Sequence, residues 1–404
     1  MKKRIVTVIL VLTLVFALAG ATAQAAGFFD FSKRSRMVTI SQSEYDRLKR
    51  FSKLDAMLQY VEAYYWKDPD VNAMVENAAR GLMYGLEDPY TFYYSAEDWQ
   101  EMKEDDEGEY GGIGIQMLGN AEDYSVIITR VFTDTPAEKA GLLKGDQLVR
   151  VEDLEVNAYS MQNAVNIMRG EIGDTVEVEV RRGEEYLTFQ MERAQIHVNR
   201  IAYTMLEDQV GYIVLYEFAG ESGKEFAQAL NALREQGAQA LVVDLRDNGG
   251  GWVDHARDIA DLFMDEGVLV YCEGRNGERE YYRTKNGSDA IPLVFLVNGN
   301  TASSSEILSG GLQDVGRATV VGTQTFGKGI VQSVIPMDED SWGFQLTVAQ
   351  YFLSSGAPVH TIGITPDIIS EMPKELENVY FQLGDLADPQ LKDAWEAARD
   401  KLAK

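Results

Sequence analysis

The sequence predicts an α/β protein with a small β-rich insertion and helical flanks. Residues 200–370 alternate strand and helix, the rhythm of an α/β core. Within them, Ala240 to Leu245 and Leu293 to Asn298 are unbroken apolar runs, as expected of strands covered on both faces. Residues 110–195 depart from that rhythm, with short alternating runs and glycine turns. A length of 404 residues suits two or three domains. No internal repeat of about 20–50 residues is present.

The chain opens on Lys2, Lys3 and Arg4, followed by an uncharged apolar run from Ile5 to Leu18 and an Ala23-Gln24-Ala25 cleavage pattern. Residues 1–25 therefore read as a signal peptide. An uncleaved anchor is the competing reading, since no charge occurs between Ile5 and Asp30. The apolar run is shorter than the ~20 residues of a spanning helix. Either way the body is expected outside the cytoplasm: secreted, periplasmic or associated with the cell envelope.

Residues 26–105 form a helical region. Ser41 and Glu44 fit a capping box, and Leu48, Phe51, Leu54, Leu58 and Val61 recur at helical spacing. Asp68-Pro69-Asp70 breaks the run, and a second helix carries Val71, Met74, Ala78, Leu82 and Leu86 up to Asp88-Pro89. The aromatic group Tyr90, Phe92, Tyr93, Tyr94 and Trp99 is expected to pack in a core. Glu101 to Glu109 reads as a solvated acidic linker.

The insertion spans residues 106–195, with strands at Tyr124–Val131, Gln147–Val151 and Thr175–Val180 and an amphipathic helix at Met161–Met168. The core spans 196–375: strands Val210–Leu215, Ala240–Leu245, Leu293–Asn298 and Ala318–Gly322 alternate with helices Lys224–Gln236, Trp252–Met264 and Ser303–Leu312. Residues 376–404 are a helical tail, in which Asp388-Pro389 supplies an N-cap and an N1 proline. Leu391, Ala394, Trp395, Ala398 and Leu402 share one face of that helix. The stripes at 44–66 and 389–403 are candidates for a homo-oligomer, a dimer first, with packing on the body as the competing reading.

Charge and composition exclude several functions. Asp and Glu number 64 against 37 Lys and Arg, a net charge of −27 that becomes −30 without residues 1–25. Nucleic acid needs a cationic face, so it is not an expected partner. One cysteine, Cys272, cannot form an internal disulfide, and it reads as a partly buried strand residue. The three histidines, His197, His255 and His360, are too few for a multi-histidine metal centre, so no metal or cofactor is expected. Only His255, after a glycine loop, is kept as a weak candidate.

Chemistry concentrates in three stretches of the core. Thr301-Ala302-Ser303-Ser304-Ser305-Glu306 lies between a buried strand and a helix, where a hydroxyl meets the free N–H groups of the helix start. Asp247-Asn248-Gly249-Gly250-Gly251 lets backbone approach a bound group closely and offers oxyanion donors. Phe326-Gly327-Lys328-Gly329 sets a lysine among apolar residues, where desolvation favours the neutral amine. In an extended segment, Lys328 and Gln332 would face one side. Taken singly, these stretches read better as an N-cap, a tight turn and a surface lysine.

Together, and in this order, they resemble the carboxy-terminal processing peptidases, or tail-specific proteases. Asp88-Pro89-Tyr90, Gly111-Gly112-Ile113-Gly114, Leu245-Arg246 and Gly363-Ile364-Thr365-Pro366-Asp367 extend the resemblance from about Leu54 to Asp367. It implies a serine–lysine dyad on a crotonase-like α/β core with an inserted PDZ domain. By motif position the nucleophile falls on Ser303, with Ser305 as fallback, and the general base on Lys328, 25 residues on. Gln332 falls where a glutamine positions the lysine. Ser304 N–H with Gly250 or Gly251 would form the oxyanion hole. Gly112, Ile113, Gly114 and Ile115 match the carboxylate-binding loop of a PDZ domain. Ser304 stands where alanine is common, and Gly249 where proline is common.

The function expected is an exported serine endopeptidase that recognises free protein C-termini. A catalytically inactive PDZ scaffold or chaperone that binds tails is the alternative from another class. An acyl-transfer or hydratase enzyme on the same core is a third, which the export signal and the PDZ-like module fit poorly.

Overall fold

The computed structural model describes residues 39–402, apart from 121–122, 286–288, 339–340, 377–378 and 380. The expected signal peptide lies outside the described residues. None of the described helices is long and apolar enough to cross a membrane. The chain divides into two compact units, one ending at Val75 and the other beginning at Glu76.

In the first unit the expected long helix is two helices, Gln42–Lys49 and Ser52–Tyr64. The capping box is formed: Ser41 N–H donates to Glu44 Oε2 at 2.8 Å, and Glu44 N–H to Ser41 Oγ at 3.2 Å. Neither helix has a buried residue, and Leu48, Phe51, Leu54, Met57 and Tyr60 are all exposed. The helix Val71–Tyr84 begins after Asp70, whose carboxylate accepts the Ala73 N–H at 3.0 Å.

The second unit is built on a six-stranded sheet. Strands Val210–Leu215, Ala240–Asp244, Leu293–Val297, Ala318–Gly322 and Ile368–Ile369 are parallel, and Ile201–Met205 is an antiparallel edge. Every residue of Ala240–Asp244 and Leu293–Val297 is buried, because both faces are covered. The two-residue period divides each strand between two cores. Leu241, Val243, Leu293 and Phe295 pack with Phe226, Ile259, Ile307 and Leu308 of the helices Ser222–Glu235, Val253–Asp261 and Ser304–Asp314. Ala240, Val242, Val294 and Leu296 pack with Leu391, Ala394 and Trp395 of the helix Pro389–Leu402.

This last contact corrects one expectation. The apolar stripe of the C-terminal helix is buried within its own chain, so that face is not free to join a second subunit. Asp388 caps the helix, accepting the Gln390 and Leu391 N–H groups, and pairs with Arg246 at 2.8 Å. Arg246 also binds Asp244 at 2.7 Å, and Asp244 accepts the Tyr212 hydroxyl at 2.6 Å.

A second sheet was not legible in the sequence. Its strands are Phe92–Tyr94, Trp342–Leu353, Gly267–Gly274 and Arg279–Thr284, with Ile330–Met337 also paired to Trp342–Leu353. Leu269, Cys272, Tyr351 and Leu353 reach the same core as the helix Ser304–Asp314. Residues 304–312 of that helix are consequently all buried. The aromatic group does pack inward: Tyr93 and Trp99 are buried, with Tyr93 against Trp342 and Tyr94 against Trp99.

The acidic stretch is helix rather than linker. Ala96–Glu107 starts at a Ser95–Asp98 capping box and stops at Gly108, which has φ +73°. A two-stranded ribbon of Glu109–Gly112 and Ala194–His197 then marks the entrance and exit of the insertion. The insertion has its own core of Val126, Ile128, Leu148, Val176, Val178 and Val180. Its first strand, Ile115–Gly119, pairs on one side only, with Val126–Val131.

Candidate active site

Ser303 sits between the central strand Leu293–Val297 and the buried helix Ser304–Asp314. Its backbone has φ +56° and ψ −119°, a conformation side-chain-bearing residues rarely adopt. The preceding turn is pinned from below. Thr301 Oγ1 donates to Leu245 O at 2.8 Å, and Ala302 N–H donates to Asn248 O at 3.1 Å. The other two serines have structural partners: Ser304 Oγ donates to Gly251 O at 2.7 Å, and Ser305 Oγ to Asn248 O at 3.0 Å. Both are fully buried, whereas Ser303 is half-buried.

The glycine loop lies directly on this turn. Asn248 anchors it, donating from Nδ2 to Leu215 O at 2.7 Å and accepting the Gly250 N–H on Oδ1 at 2.8 Å. Gly250 has φ +103°, and a Cβ there would fall 2.8 Å from both Ser303 Cβ and Ser304 N. Only glycine permits so close an approach. Because the Gly250 N–H is engaged, the candidate oxyanion donors differ in availability. The Ser304 and Gly251 N–H groups make no hydrogen bond to any described residue.

Lys328 lies between two glycines that press on residues 360–363. A Cβ on Gly329 would meet His360 N at 2.2 Å, and Gly327, at φ +86°, accepts the Thr361 N–H at 2.8 Å. The lysine Nζ stands 4.5 Å from the centroid of the Tyr90 ring. Burial pushes its amine below the usual lysine range, and the Asp88 and Glu306 carboxylates oppose that shift. Among the described residues no hydrogen bond joins the Lys328 amine to Ser303. Gln332 donates to Thr347 Oγ1 at 3.2 Å rather than to the lysine. The regular strand starts only at Ile330, two residues after Lys328, and the shift in its pairing beside Gln332 leaves Val348 of the partner strand as the extra residue.

Sequence reasoning missed the residue that links these parts. Glu306 is fully buried, and its carboxylate accepts four hydrogen bonds. Oε1 receives the Thr325 hydroxyl at 2.5 Å and the Gly327 N–H at 2.7 Å; Oε2 receives the N–H groups of Ser303 and Lys328, each at 2.9 Å. The Ser-x-x-Glu spacing from Ser303 was the available signal, since it is that of a capping box. His255, by contrast, pairs its Nδ1 with Ser222 Oγ at 2.9 Å.

The loop Gly112–Ile115 holds Ile113 in the core of the insertion. Gly114 has φ +86°, and a Cβ there would lie 2.4 Å from the Thr135 side chain. Ile113 O and Gly114 O accept the N–H groups of Ala137 and Phe132, which leaves the loop backbone held from one side. The N–H groups of Ile113 and Gly114 donate to no described residue. The free edge of Ile115–Gly119 runs beside the helix Met161–Met168, with Met161 next to Gly119 and Met168 O next to Gly112.

Comparison with known proteins identifies the two domains. Residues 209–370 match the model of peptidase family S41, and residues 111–192 match a PDZ domain. The chain is 34% identical to a carboxy-terminal-processing protease of Bartonella bacilliformis, over 82% of this chain and 77% of that one. It is 35% identical to a carboxyl-terminal-processing protease of Synechocystis, over 81% and 79% of the two chains. Among solved structures it resembles a photosystem II D1 C-terminal processing protease. That match has a TM-score of 0.57 and 29% identity, covering 87% of this chain and 100% of the other.

Proposed function

The chain belongs to the carboxy-terminal processing proteases, serine-type peptidases of family S41 with a PDZ domain, and from that membership we propose that Ser303 is its nucleophile and Lys328 its general base. Ser303 Oγ attacks the scissile carbonyl carbon while the neutral Lys328 amine takes the hydroxyl proton. The N–H of Ser304, with a glycine N–H of the 249–251 loop, holds the oxyanion. Collapse of the tetrahedral intermediate breaks the C–N bond, and the Lys328 ammonium returns its proton to the leaving amine. Water, deprotonated by the same amine, then hydrolyses the acyl-enzyme and restores Ser303. Gln332 acts through Thr347, on the strand beside the lysine.

The observation that carries this reading is the shared Glu306 carboxylate, which ties the Ser303 and Lys328 backbones to one buried atom. The structural bonds of Ser304 and Ser305 favour Ser303 over the fallback. The loop Gly112–Ile115 and the free edge beyond it suit a peptide C-terminus that adds as a strand. The substrates are accordingly unfolded protein tails with free carboxylates, met outside the cytoplasm after export. A homo-oligomer, if formed, uses the exposed stripe at 42–64 rather than the tail helix.

The test is turnover of an unfolded protein by Ser303→Ala, Lys328→Met and Lys328→Arg. All three are expected to fold and to lose at least the ~10²–10⁴ of a positioned acid–base group. Arginine keeps its proton at any usable pH, so it cannot substitute as a base. Near-normal turnover by Lys328→Arg overturns the dyad. Tail binding without any cleavage by the unaltered protein indicates the scaffold instead.

A further inference from the structure

The turn Asp88–Thr91 is held more firmly than an exposed connection requires. Asp88 Oδ1 accepts the Tyr90 N–H at 3.0 Å, and Oδ2 accepts the Thr91 hydroxyl at 2.7 Å. The Tyr90 carbonyl accepts from Gln345 Nε2 at 3.0 Å, and Thr91 Oγ1 accepts the Thr347 N–H at 3.0 Å. Thr347 in turn takes the Gln332 amide. Immediately after the turn, Phe92–Tyr94 pairs with the strand that carries Gln345 and Thr347. This bonding holds the Tyr90 main chain on both sides, and from it the ring lies with its centroid 4.5 Å from the Lys328 amine.

We infer that Tyr90 is a positioning residue for Lys328: its ring, carried on a turn held by Asp88 and the Gln345–Thr347 strand, seats the lysine ammonium that forms when the serine's proton is taken. An aromatic face attracts a cation and gives the neutral amine no comparable interaction. A buried base needs such help, because its conjugate acid is a charge placed out of water. The charged and titratable groups around Lys328 are Asp88 and Tyr90 on the turn, Glu306 on the helix, Tyr351 on the long strand and His360 beside Gly329. Asp88 adds a negative charge that also favours the ammonium, so it works in the same direction.

The inference rests on Lys328 being the base, and the experiment separates the two. The pH dependence of kcat/KM on an unfolded substrate is measured for the unaltered protein and for Tyr90→Phe, Tyr90→Leu and Asp88→Asn. A series with fluorinated phenylalanines at position 90 keeps the ring's shape while weakening its negative face, so folding is preserved. Phenylalanine is expected to retain most of the rate. Leucine and the more fluorinated rings are expected to lower the plateau rate. They should also move the rising limb to lower pH, by about half to one and a half units, as the ammonium loses its seat. Asp88→Asn should move the limb the same way. A limb that stays put through the fluorinated series overturns the inference, as does a rate loss in Tyr90→Leu without an acid shift. Full activity of Lys328→Met would instead overturn the assignment of the base.

Discussion

The backbone N–H groups of Ser303 and Lys328 donate to the same atom, Oε2 of Glu306, both at 2.9 Å. The two residues come from different loops, one at the end of a central strand and the other ahead of the second sheet. A single buried oxygen therefore sets their separation at the level of the main chain, and the side chains have only short distances left to search.

Removing that oxygen should be costly. Glu306→Ala leaves four donors without a partner, two of them fully buried, so we expect destabilisation of about 3 kcal/mol. Glu306→Gln keeps the volume but turns an NH2 toward two of the donors, so it should fold and still lose activity by ~10² or more. Thermal unfolding and peptide turnover measure the two effects separately. Wild-type turnover by Glu306→Gln would mean that the loop spacing is set elsewhere.

The sign of the Lys328 shift gives a pH dependence. The neutral amine is the active form, so activity should rise with pH along a limb below the ordinary lysine range. The same lowered pKa penalises the fold in full below the folded value, where the buried amine must carry its charge, and the penalty fades as the native state gives up the proton that the unfolded chain still holds. Stability should therefore increase as pH climbs from the folded value to the unfolded one. Lys328→Met is expected to melt no lower than the unaltered protein at neutral pH, while being inactive. A marked fall in its melting temperature would contradict a desolvated lysine.

Tail recognition is tested by peptides alone. Hydrogen bonds to a carboxylate contribute roughly 1.5–3 kcal/mol, which corresponds to about a 10–150-fold change in binding. Amidating the C-terminus of a substrate should slow its cleavage at low concentration by that factor. A terminal Asp-Asp should also be cleaved poorly, since the protein is acidic overall. The test is made on the peptide and not on the loop, because any side chain at 114 would meet Thr135. Equal rates for acid and amide would remove the carboxylate from the recognition scheme.

The tail helix should prove structural. Trp395 is buried, and its indole N–H donates to Glu207 O at 3.1 Å. Trp395→Ala is expected to cost about 3–5 kcal/mol, and Arg246→Ala, which strands Asp244 and Asp388, a similar amount. Sedimentation of Trp395→Ala should show no clean dissociation of a dimer into folded monomers. Such a dissociation would return this helix to the oligomer interface.

Cys272 should be inert in the folded protein. Burial, with Glu280 nearby, pushes its thiol up to about 12, so almost no thiolate exists near neutral pH. Alkylation followed by mass spectrometry should label it in denaturant and leave it untouched without. Rapid labelling of the native chain would place it nearer the surface.

How far the sequence was legible depends on the range of the contact. Ala240–Asp244 and Leu293–Val297 were readable because burial on both faces writes itself as an unbroken apolar run. Ser303, the glycine loop and Lys328 were readable as short motifs, each local in the chain. The four bonds of Glu306 were not, since three of them go to residues 325–328 and only folding brings these close. The partner of Gln332, Thr347, was not legible either, since alternation says which face a residue takes and not which side chain of the neighbouring strand it meets. The strands of the second sheet escaped because many of their residues are only partly buried, which blurs the period. The helix Ala96–Glu107 was hidden by its own acidity, although Ser95, Asp98 and Gly108 had marked its ends.

The backbone at Ser303 has a consequence for anyone engineering this protein. A positive φ on a residue with a side chain costs on the order of 1–3 kcal/mol, and glycine would remove that cost. Ser303→Gly should therefore tolerate more heat than the natural chain while cutting nothing. A screen that ranks variants by melting temperature would score the loss of the hydroxyl as an improvement. Heat tolerance and turnover are opposed at this one position, so a library aimed at robustness has to leave residue 303 out and seek its gains elsewhere.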